Sequence, residues 1–139
     1  TKQLELNGLL KQYLQDYEEV YDYRNIEVTI DEQDIFNVTM NESLAVALLT
    51  NLLKNAFVHN IDGGHIRITV TKNSITFRNS GVENPLDKEH IFERFYQGTK
   101  KEGSTGLGLA IADSICRLQH LSIRYYFEQK EHCFEISRQ

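Results

Sequence analysis

The sequence is poor in the residues that would make it a disulfide-bonded, collagen-like or membrane-spanning chain. It has two cysteines, one proline and no tryptophan among 139 residues. Cys116 and Cys133 form no CxxC pair and have no histidine at metal-binding spacing, which favours two reduced thiols. No run of about 18 apolar residues is present, so the sequence predicts no membrane-spanning helix. No signal peptide is visible, and a chain that starts at Thr1 is expected to be part of a larger protein.

Basic charge is too sparse for a nucleic-acid-binding surface. The formal net charge is −5, and residues 1–40 carry nine acidic and three basic side chains. Because nucleic-acid binders present a basic patch, we expect no nucleic-acid partner. Apolar residues make up 40% of the chain, which is enough to build a core of ordinary size. We therefore predict a single domain over residues 1–139.

Apolar periodicity predicts about three helices and six strands. Helical spacing is found at residues ~4–23, ~42–59 and ~109–118. Alternation predicts strands near residues 26–30, 35–40, 66–70, 75–77, 121–125 and 133–137. The first two strands are expected to pair as a hairpin across the turn at 31–34. Hairpins separated by single helices predict an α+β fold, a two-layer sandwich whose mixed, mostly antiparallel sheet is covered on one face by helices.

Two asparagines lie on the edge of the apolar face of the middle helix. Asn51 and Asn55 are one helical turn apart, and Asn41 precedes the helix as a suitable N-cap. A buried amide without a partner costs roughly 1–3 kcal/mol, so partners are expected. Two interpretations stay open from the residues alone. The amides bond backbone or each other, or the Asn55 oxygen binds Mg²⁺, which takes oxygen ligands from one or two protein groups, waters and phosphates.

A glycine-rich turn leads directly into the last helix. Residues 106–109 read Gly-Leu-Gly-Leu, and a helix N-terminus with flexible, unobstructed backbone binds phosphate through its free N–H groups. The sequence has no Walker loop, and Ile111 stands where a dinucleotide fingerprint needs its third glycine. A glycine-rich helix start without a ligand is the alternative. The irregular stretch before it, from Val82 to Gly106, is unusually long, and such loops are commonly functional.

Three of these stretches, in this order, resemble the motifs of the ATP-binding catalytic domain of sensor histidine kinases. Residues 51–56 resemble the asparagine box, residues 91–96 the phenylalanine box and residues 103–111 the second glycine box. The family belongs to the superfamily of type II topoisomerases, MutL and the heat-shock chaperone ATPases. The resemblance covers nearly the whole chain, and it implies a lid over the nucleotide at residues 82–104.

The resemblance also implies a set of site residues and two cofactors, ATP and Mg²⁺. Asn51, Asn55 and Arg94 would act in catalysis, and Asn55 would ligate the magnesium ion. The nucleotide-binding residues that it implies are Asn55, His59, Asn79, Gly81, Lys100, Lys101, Thr105, Gly106, Leu107, Gly108 and Leu109. In phosphoryl transfer the protein mainly positions groups and neutralises charge, which suits a lid that carries cations.

Asn51 favours a kinase over an ATPase within this resemblance. The ATPases of the superfamily place a glutamate four residues before the magnesium asparagine, where it activates water, and here that residue is neutral. The resemblance therefore implies that the γ-phosphate of ATP is transferred to a histidine of another domain, in two-component signal transduction. The enzyme expected is a protein histidine kinase.

The acceptor histidine itself is not found in this sequence. It normally begins a His-Glu or His-Asp segment on a separate dimerisation domain, and none of the five histidines has that context. We expect that domain upstream in a homodimeric parent protein, with a response regulator as the downstream partner. The expected location is cytoplasmic, on the inner face of the membrane if the parent is a membrane sensor. Four histidines are expected at surface or edge positions: His65, His90, His120 and His132.

Three positions depart from the family pattern and support an alternative. Asn79 stands where an aspartate bonds the adenine amino group, Glu83 replaces a glycine and Val58 replaces a basic residue. Asparagine keeps an acceptor oxygen but not the charge, and charge-assisted hydrogen bonds are about twice as strong as neutral ones. The alternative is a degenerate module that binds nucleotide weakly or not at all. A serine kinase of the anti-sigma type would share the fold and differ in its partner.

Overall fold

The computed structural model describes residues 1–96 and 106–139 of the chain. Within them it has seven strands, three α-helices and one turn of 3-10 helix (Asp22–Arg24). The strands are β1 (Lys2–Glu5), β2 (Glu27–Glu32), β3 (Asn37–Met40), β4 (His65–Val70), β5 (Ser74–Asn79), β6 (Leu121–Glu128) and β7 (Glu131–Arg138). The helices are α1 (Leu6–Val20), α2 (Glu42–Val58) and α3 (Gly108–Leu118). None of the described helices is long and apolar enough to cross a membrane.

Five of the strands form one mixed sheet, in the order β2-β4-β5-β7-β6. The β2–β4 pair is parallel, and the other three pairs are antiparallel. One face of the sheet is packed against the helices through alternating residues such as Ile66, Ile68 and Phe77, which are at most 1% exposed. Helix α2 covers that face with Leu48 and Leu52, which are equally buried. The predicted two-layer α+β fold is confirmed.

The predicted hairpin between the strands near residues 26–30 and 35–40, which are β2 and β3 of the structure, is wrong. β2 runs parallel to β4, with Val28 opposite Ile66, and β3 pairs instead with β1, outside the main sheet. The connection between β2 and β3 is held by Asn7 of α1, whose Nδ2 donates to the Asp34 carbonyl at 3.0 Å and whose Oδ1 accepts the Phe36 N–H at 2.9 Å. The turn residues at 31–34 predict a chain reversal. The path of the chain after the turn is fixed by Asn7, which is distant in sequence.

The helix boundaries follow the predicted periodicity except at the N-terminus. Helix α1 begins only at Leu6, because residues 2–5 are paired with β3 as β1. Helix α2 begins where the sequence indicates, and the Asn41 Oδ1 accepts the Leu44 N–H at 3.0 Å. Such a cap stabilises a helix by about 1 kcal/mol. It fixes the start of the helix that carries the two asparagines of interest.

Candidate functional site

Helix α2 presents Asn51 and Asn55 at the edge of its buried face, and both are partly buried as predicted. The Asn51 Nδ2 donates to the Ala47 carbonyl one turn earlier, at 2.8 Å. No residue within 1–96 or 106–139 hydrogen-bonds the Asn55 carboxamide. The two amides therefore differ. The Asn51 side chain is anchored to its own helix, whereas no described residue occupies the Asn55 carboxamide.

The start of α3 lies directly against Asn51. A Cβ atom added to Gly108 would come within 3.0 Å of the Asn51 Oδ1, so a larger residue would force that side chain aside. Leu107 is the N-cap residue of α3, and no side-chain cap is found there among the described residues. Backbone N–H groups at a helix start carry partial positive charge and need acceptors. The asparagine edge of α2 and the glycine turn thus form one surface suited to an anion and a cation.

Gly106 and Phe95 hold the two sides of the glycine turn together. Gly106 has φ +75°, and an added Cβ would lie 2.7 Å from the Phe95 Cα. The Phe95 N–H donates to the Gly106 carbonyl at 2.6 Å. Arg94 is exposed, with its guanidinium carbon 5.3 Å from the centre of the Phe95 ring. Arg94 is thus adjacent in the chain to the residue that contacts the glycine turn, and its role at the nucleotide stays a prediction.

Asn79 ends β5 with an unpaired acceptor atom. The residue is 1% exposed, and its Oδ1 is the one buried side-chain polar atom without a partner among the described residues. Its Nδ2 donates to the Ser80 carbonyl at 2.7 Å, and the reversed amide would place two acceptors against each other. The orientation of the amide is therefore fixed. An unsatisfied buried acceptor costs about 1–3 kcal/mol, which a ligand that donates a hydrogen bond would recover.

Gly81 passes between the end of α2 and the sheet, where a side chain has no room. An added Cβ would lie 2.8 Å from the His59 carbonyl oxygen and 3.2 Å from a ring carbon of His132. The neighbouring Ser80 hydroxyl donates to the Asn60 Oδ1 at 2.6 Å. His59, the C-cap of α2, is half-buried. The ends of α2 and β5 are thus joined, and they bring the predicted residues His59, Asn79 and Gly81 together.

The guanidinium of Arg24 caps the C-terminal end of α2, a contact that the sequence analysis missed. Its Nη2 donates to the Asn60 carbonyl at 2.7 Å, Nη1 donates to the Phe57 carbonyl, and Nε pairs with Asp62 at 2.8 Å. A cation at this end also opposes the negative pole of the helix dipole. The partners lie more than 30 residues away along the chain, so no local pattern signals the contact.

His132 was predicted at a surface or edge position, and this prediction is wrong. The residue is 4% exposed, and its ring nitrogens contact the Tyr125 hydroxyl and the Val82 carbonyl oxygen, both at 2.7 Å. Burial lowers its pKa below the ordinary value because the charged form is poorly solvated there. The alternation of β7 (His132, Phe134) was the available signal, since it places the histidine on the helix-facing side.

The remaining candidates are three predicted site residues outside the described part of the chain and two buried cysteines. Lys100, Lys101 and Thr105, which the resemblance assigns to the site, lie outside the described residues. The two cysteines are buried, and burial raises the pKa of Cys116 to about 12 and that of Cys133 to about 11. Their thiols stay protonated at neutral pH, so neither is suited to nucleophilic chemistry.

Comparison with known proteins decides the family. Residues 40–137 match the family described as histidine kinase-, DNA gyrase B-, and HSP90-like ATPase. The chain belongs to this family. The matched region includes α2, the end of β5 and the glycine turn, which are the elements that form the candidate site. ATP binding is implied by membership of an ATPase family, and the resemblance to histidine kinases is confirmed by the relatives.

Two curated relatives of the chain are sensor proteins. It is 33% identical over 127 residues to the heme sensor protein HssS of Staphylococcus aureus (strain Newman), covering 88% of this chain and 28% of the relative. It is 43% identical over 84 residues to the sensor histidine kinase RppB of Synechocystis sp. (strain ATCC 27184 / PCC 6803 / Kazusa), covering 54% of this chain and 18% of that protein. The chain therefore spans less than a third of the length of either relative.

Solved structures agree on the fold. The nucleotide-free catalytic domain of histidine kinase ThkA matches with a TM-score of 0.85 at 25% identity, over 97% of this chain and 92% of that one. The mycobacterial sensor histidine kinase MprB matches with a TM-score of 0.83 at 18% identity, over 99% and 97% of the two chains. The latter likeness shows the fold alone. The predicted architecture is thus that of histidine kinase catalytic domains.

Proposed function

We propose that the chain is a single catalytic domain that binds Mg-ATP and transfers the γ-phosphate to a histidine of its parent protein. The observation that carries the proposal is the close approach of Gly108 to Asn51, which sets the asparagine edge of α2 against the start of α3. In phosphoryl transfer the protein acts chiefly by positioning groups and stabilising charge. A cation site beside a phosphate-binding helix start supplies both.

The phosphates of ATP belong, in this proposal, at the start of α3. The amides of Gly108 and Leu109 follow the N-cap residue Leu107, and Gly106 gives the backbone its close turn. The exposed guanidinium of Arg94 lies over the ring of Phe95, whose backbone bonds Gly106, and it would provide positive charge for the phosphates. The roles of Lys100, Lys101 and Thr105 at the same phosphates remain expectations from the sequence.

Magnesium belongs at Asn55. The carboxamide oxygen is a hard, neutral ligand, and it has no partner among the described residues. Mg²⁺ characteristically takes one or two protein oxygens and completes its shell with water and phosphate oxygens. The residue present therefore fits the ion, which would neutralise phosphate charge when bound.

The adenine ring belongs at Asn79. The unpaired Oδ1 would accept a hydrogen bond from the 6-amino group, and Gly81 and His59 would border the base at the end of α2. The bond is neutral, whereas an aspartate at this position would give a charge-assisted one. The adenine ring is accordingly bound more weakly than by the aspartate of the family pattern. The bond still selects a base that has a 6-amino group.

The acceptor of the phosphate belongs to a partner domain. Asn51 supplies no carboxylate to activate water, so bound ATP is kept for transfer. We place the acceptor histidine on a dimerisation domain of a homodimeric parent, and the next recipient in a response regulator. Histidine kinase ThkA has been solved in complex with the response regulator protein TrrA, which supports a partner of this kind. Magnesium, the partners and a cytoplasmic position are parts of this proposal.

The experiment that tests the proposal is a phosphotransfer assay on the parent protein that carries this chain. With Mg-ATP labelled at the γ-phosphate, the account predicts an acid-labile, base-stable phosphohistidine outside residues 1–139. Asn55→Ala should abolish the label, whereas Asn73→Ala, in the exposed turn between β4 and β5, should not. Label that fails to form in the wild-type parent would contradict the kinase assignment.

A degenerate binding module is the second candidate function. Val58, which stands where the family has a basic residue, is 7% exposed and belongs to the core, and Glu83 replaces a glycine. One phosphate contact of the family is therefore absent at that position. Nucleotide binding without any phosphotransfer, in a parent that otherwise folds and dimerises, would favour this candidate over the kinase.

A further inference from the structure

A buried tyrosine and histidine tie the segment after β5 to the β6–β7 hairpin. Tyr125 of β6 and His132 of β7 are 5% and 4% exposed, and their rings stack with centroids 5.9 Å apart. The Tyr125 hydroxyl lies 2.7 Å from His132 Nδ1, and His132 Nε2 lies 2.7 Å from the Val82 carbonyl oxygen. The Leu86 N–H donates to the Tyr125 oxygen at 3.0 Å. The pair therefore holds both ends of residues 82–86.

With a neutral imidazole, only one arrangement of protons satisfies all three hydrogen bonds. The Val82 carbonyl can only accept, so His132 Nε2 carries the hydrogen and Nδ1 keeps a lone pair. The Tyr125 O–H then donates to Nδ1, and its oxygen accepts from Leu86. This arrangement requires a neutral imidazole, and the protein environment favours that form by lowering the pKa of His132. The pair is fully satisfied without any ligand.

The same histidine also supports the proposed adenine end of the site. His132 is the direct register partner of Asn79 across β5 and β7, and such partners have Cβ atoms about 4.5–5.5 Å apart. Its ring lies beneath Gly81, where an added Cβ would approach to 3.2 Å. One side chain thus contacts the strand end, the glycine loop and the start of the segment at Val82.

We propose that His132 and Tyr125 are positioning residues for nucleotide binding. They act through Gly81 and residues 82–86, which they hold in the conformation that receives the ligand. A site whose backbone is ordered beforehand loses less entropy on binding. If the receptive conformation is less populated, the apparent dissociation constant rises in proportion. This inference rests on the proposed function, and it assigns a role to two residues outside the motifs of the sequence.

The pair also makes binding sensitive to pH. The titratable or charged groups around His132 are Tyr125 of β6, Glu131 and Cys133 of β7, Arg78 of β5, Glu83 of the segment and His59 at the end of α2. Arg78 of β5 and Glu131 and Cys133 of β7 lie on the opposite face of the sheet from His132, because side chains alternate along a strand. Protonated His132 would carry a hydrogen at Nδ1 and donate to the Tyr125 oxygen, so the Tyr125 O–H would lose its acceptor. Nucleotide affinity should therefore fall as the pH drops from the ordinary histidine range through the lowered pKa.

The test compares single-oxygen deletions at neighbouring tyrosines. Tyr125→Phe removes the hydroxyl that bonds Leu86, and Tyr126→Phe removes a hydroxyl from the next residue, on the opposite face of β6. Calorimetric titration with a non-hydrolysable ATP analogue and Mg²⁺ should give a dissociation constant about three- to tenfold higher for Tyr125→Phe, the effect of losing one internal hydrogen bond. Tyr126→Phe should bind as the wild type does.

Two substitutions of His132 separate positioning from general destabilisation. His132→Gln can still donate to the Val82 carbonyl, so it should retain more affinity than His132→Ala. The wild type should lose affinity below about pH 6.5, and His132→Gln should lose less of it. The ring should give the ¹⁵N signature of the Nε2–H tautomer. The inference would be overturned if the wild type and Tyr125→Phe bound the analogue equally well. It would also be overturned if His132→Gln and His132→Ala lost the same affinity.

A measurement without nucleotide distinguishes a failure of this positioning role from a failure of the proposed kinase function. Hydrogen exchange at the Leu86 amide should be slow in the wild type and fast in Tyr125→Phe, whether or not ATP is present. A wild-type chain that binds no analogue would overturn the proposed function and the role in binding with it, even if Leu86 is protected. A wild-type chain that binds, with Leu86 unprotected, would overturn the inference alone.

Discussion

Three asparagines of the candidate site have different hydrogen-bonding states. The Asn51 side chain bonds its own helix, Asn79 uses its amide nitrogen but not its oxygen among the described residues, and the Asn55 carboxamide has no partner among the described residues. These states support different proposed roles: a spacer at Asn51, a selective acceptor at Asn79 and a metal ligand at Asn55.

The fixed acceptor at Asn79 predicts a preference for adenine over guanine. The Oδ1 would accept from a 6-amino group, whereas a 6-oxo group would set two acceptors against each other. The loss of about 1.4 kcal/mol or more corresponds to at least about tenfold weaker binding. Displacement of a bound ATP analogue by ATP and by GTP measures the ratio of the two dissociation constants. Equal competition would show that the base is held elsewhere.

The neutral side chain at position 51 predicts slow hydrolysis of bound ATP. Asn51→Glu would place a carboxylate beside the start of α3, where it could accept a proton from water. A general base contributes about 10²–10⁴-fold when well placed, and we expect an increase of about tenfold from an unoptimised one. Phosphate release by the purified chain measures it. Asn51→Gln, similar in size to glutamate but neutral, is the control and should stay at the wild-type rate.

At the level of elements, the sequence predicted what local periodicity controls. The alternation of β4 and β5, the span of α2 and its Asn41 cap were all predictable because each depends on residues within a few positions. The parallel pairing of β2 with β4 and the bonds of Asn7 were not, since both join distant segments. The alternation of β7 did indicate the buried face for His132, but it could not indicate which groups would bond the ring. Its partners Val82 and Tyr125 are set by the fold.

The cap at the end of α2 predicts a stability effect that can be measured separately from binding. Arg24→Met keeps the apolar stem and removes the donors to the carbonyls of Phe57 and Asn60. Bonds to a charged donor contribute roughly 1.5–3 kcal/mol, so the free energy of unfolding should fall by about 2 kcal/mol. Urea denaturation measures it. Arg117→Met, which removes an exposed partner of Asp113 on α3, should change stability by less than about 0.5 kcal/mol.

At the scale of the whole molecule, stability should depend on pH through two buried groups with opposite signs of charge. The pKa of His132 is lowered from 6.5 by burial, so below about pH 6.5 the unfolded chain binds more protons and stability falls. The pKa of Glu131 is lowered from 4.5 chiefly by its hydrogen bond from Arg67. Its stabilising contribution is present above 4.5 and is lost as the pH falls through the lowered value.

Urea unfolding at about pH 7.5 and about pH 5.5 separates these contributions. Both values lie above the ordinary pKa of Glu131, so the change between them reports histidines: His132 lowers stability on acidification, and His90, whose pKa is raised by its hydrogen bond with Asp87, has the opposite sign. The net decrease should be smaller in His132→Gln, which has no titrating group at position 132. An unchanged decrease in that variant would assign the pH dependence to other groups.

The proposed kinase function depends on Mg²⁺ binding at Asn55 together with ATP, and a calorimetric titration measures this coupling. A non-hydrolysable ATP analogue is titrated into the wild type, Asn55→Ala and Asn73→Ala, each with and without Mg²⁺. The account predicts binding that is strengthened by Mg²⁺ in the wild type and in Asn73→Ala, and a loss of that strengthening in Asn55→Ala. Affinity that is the same with and without Mg²⁺, or unchanged in Asn55→Ala, would contradict it.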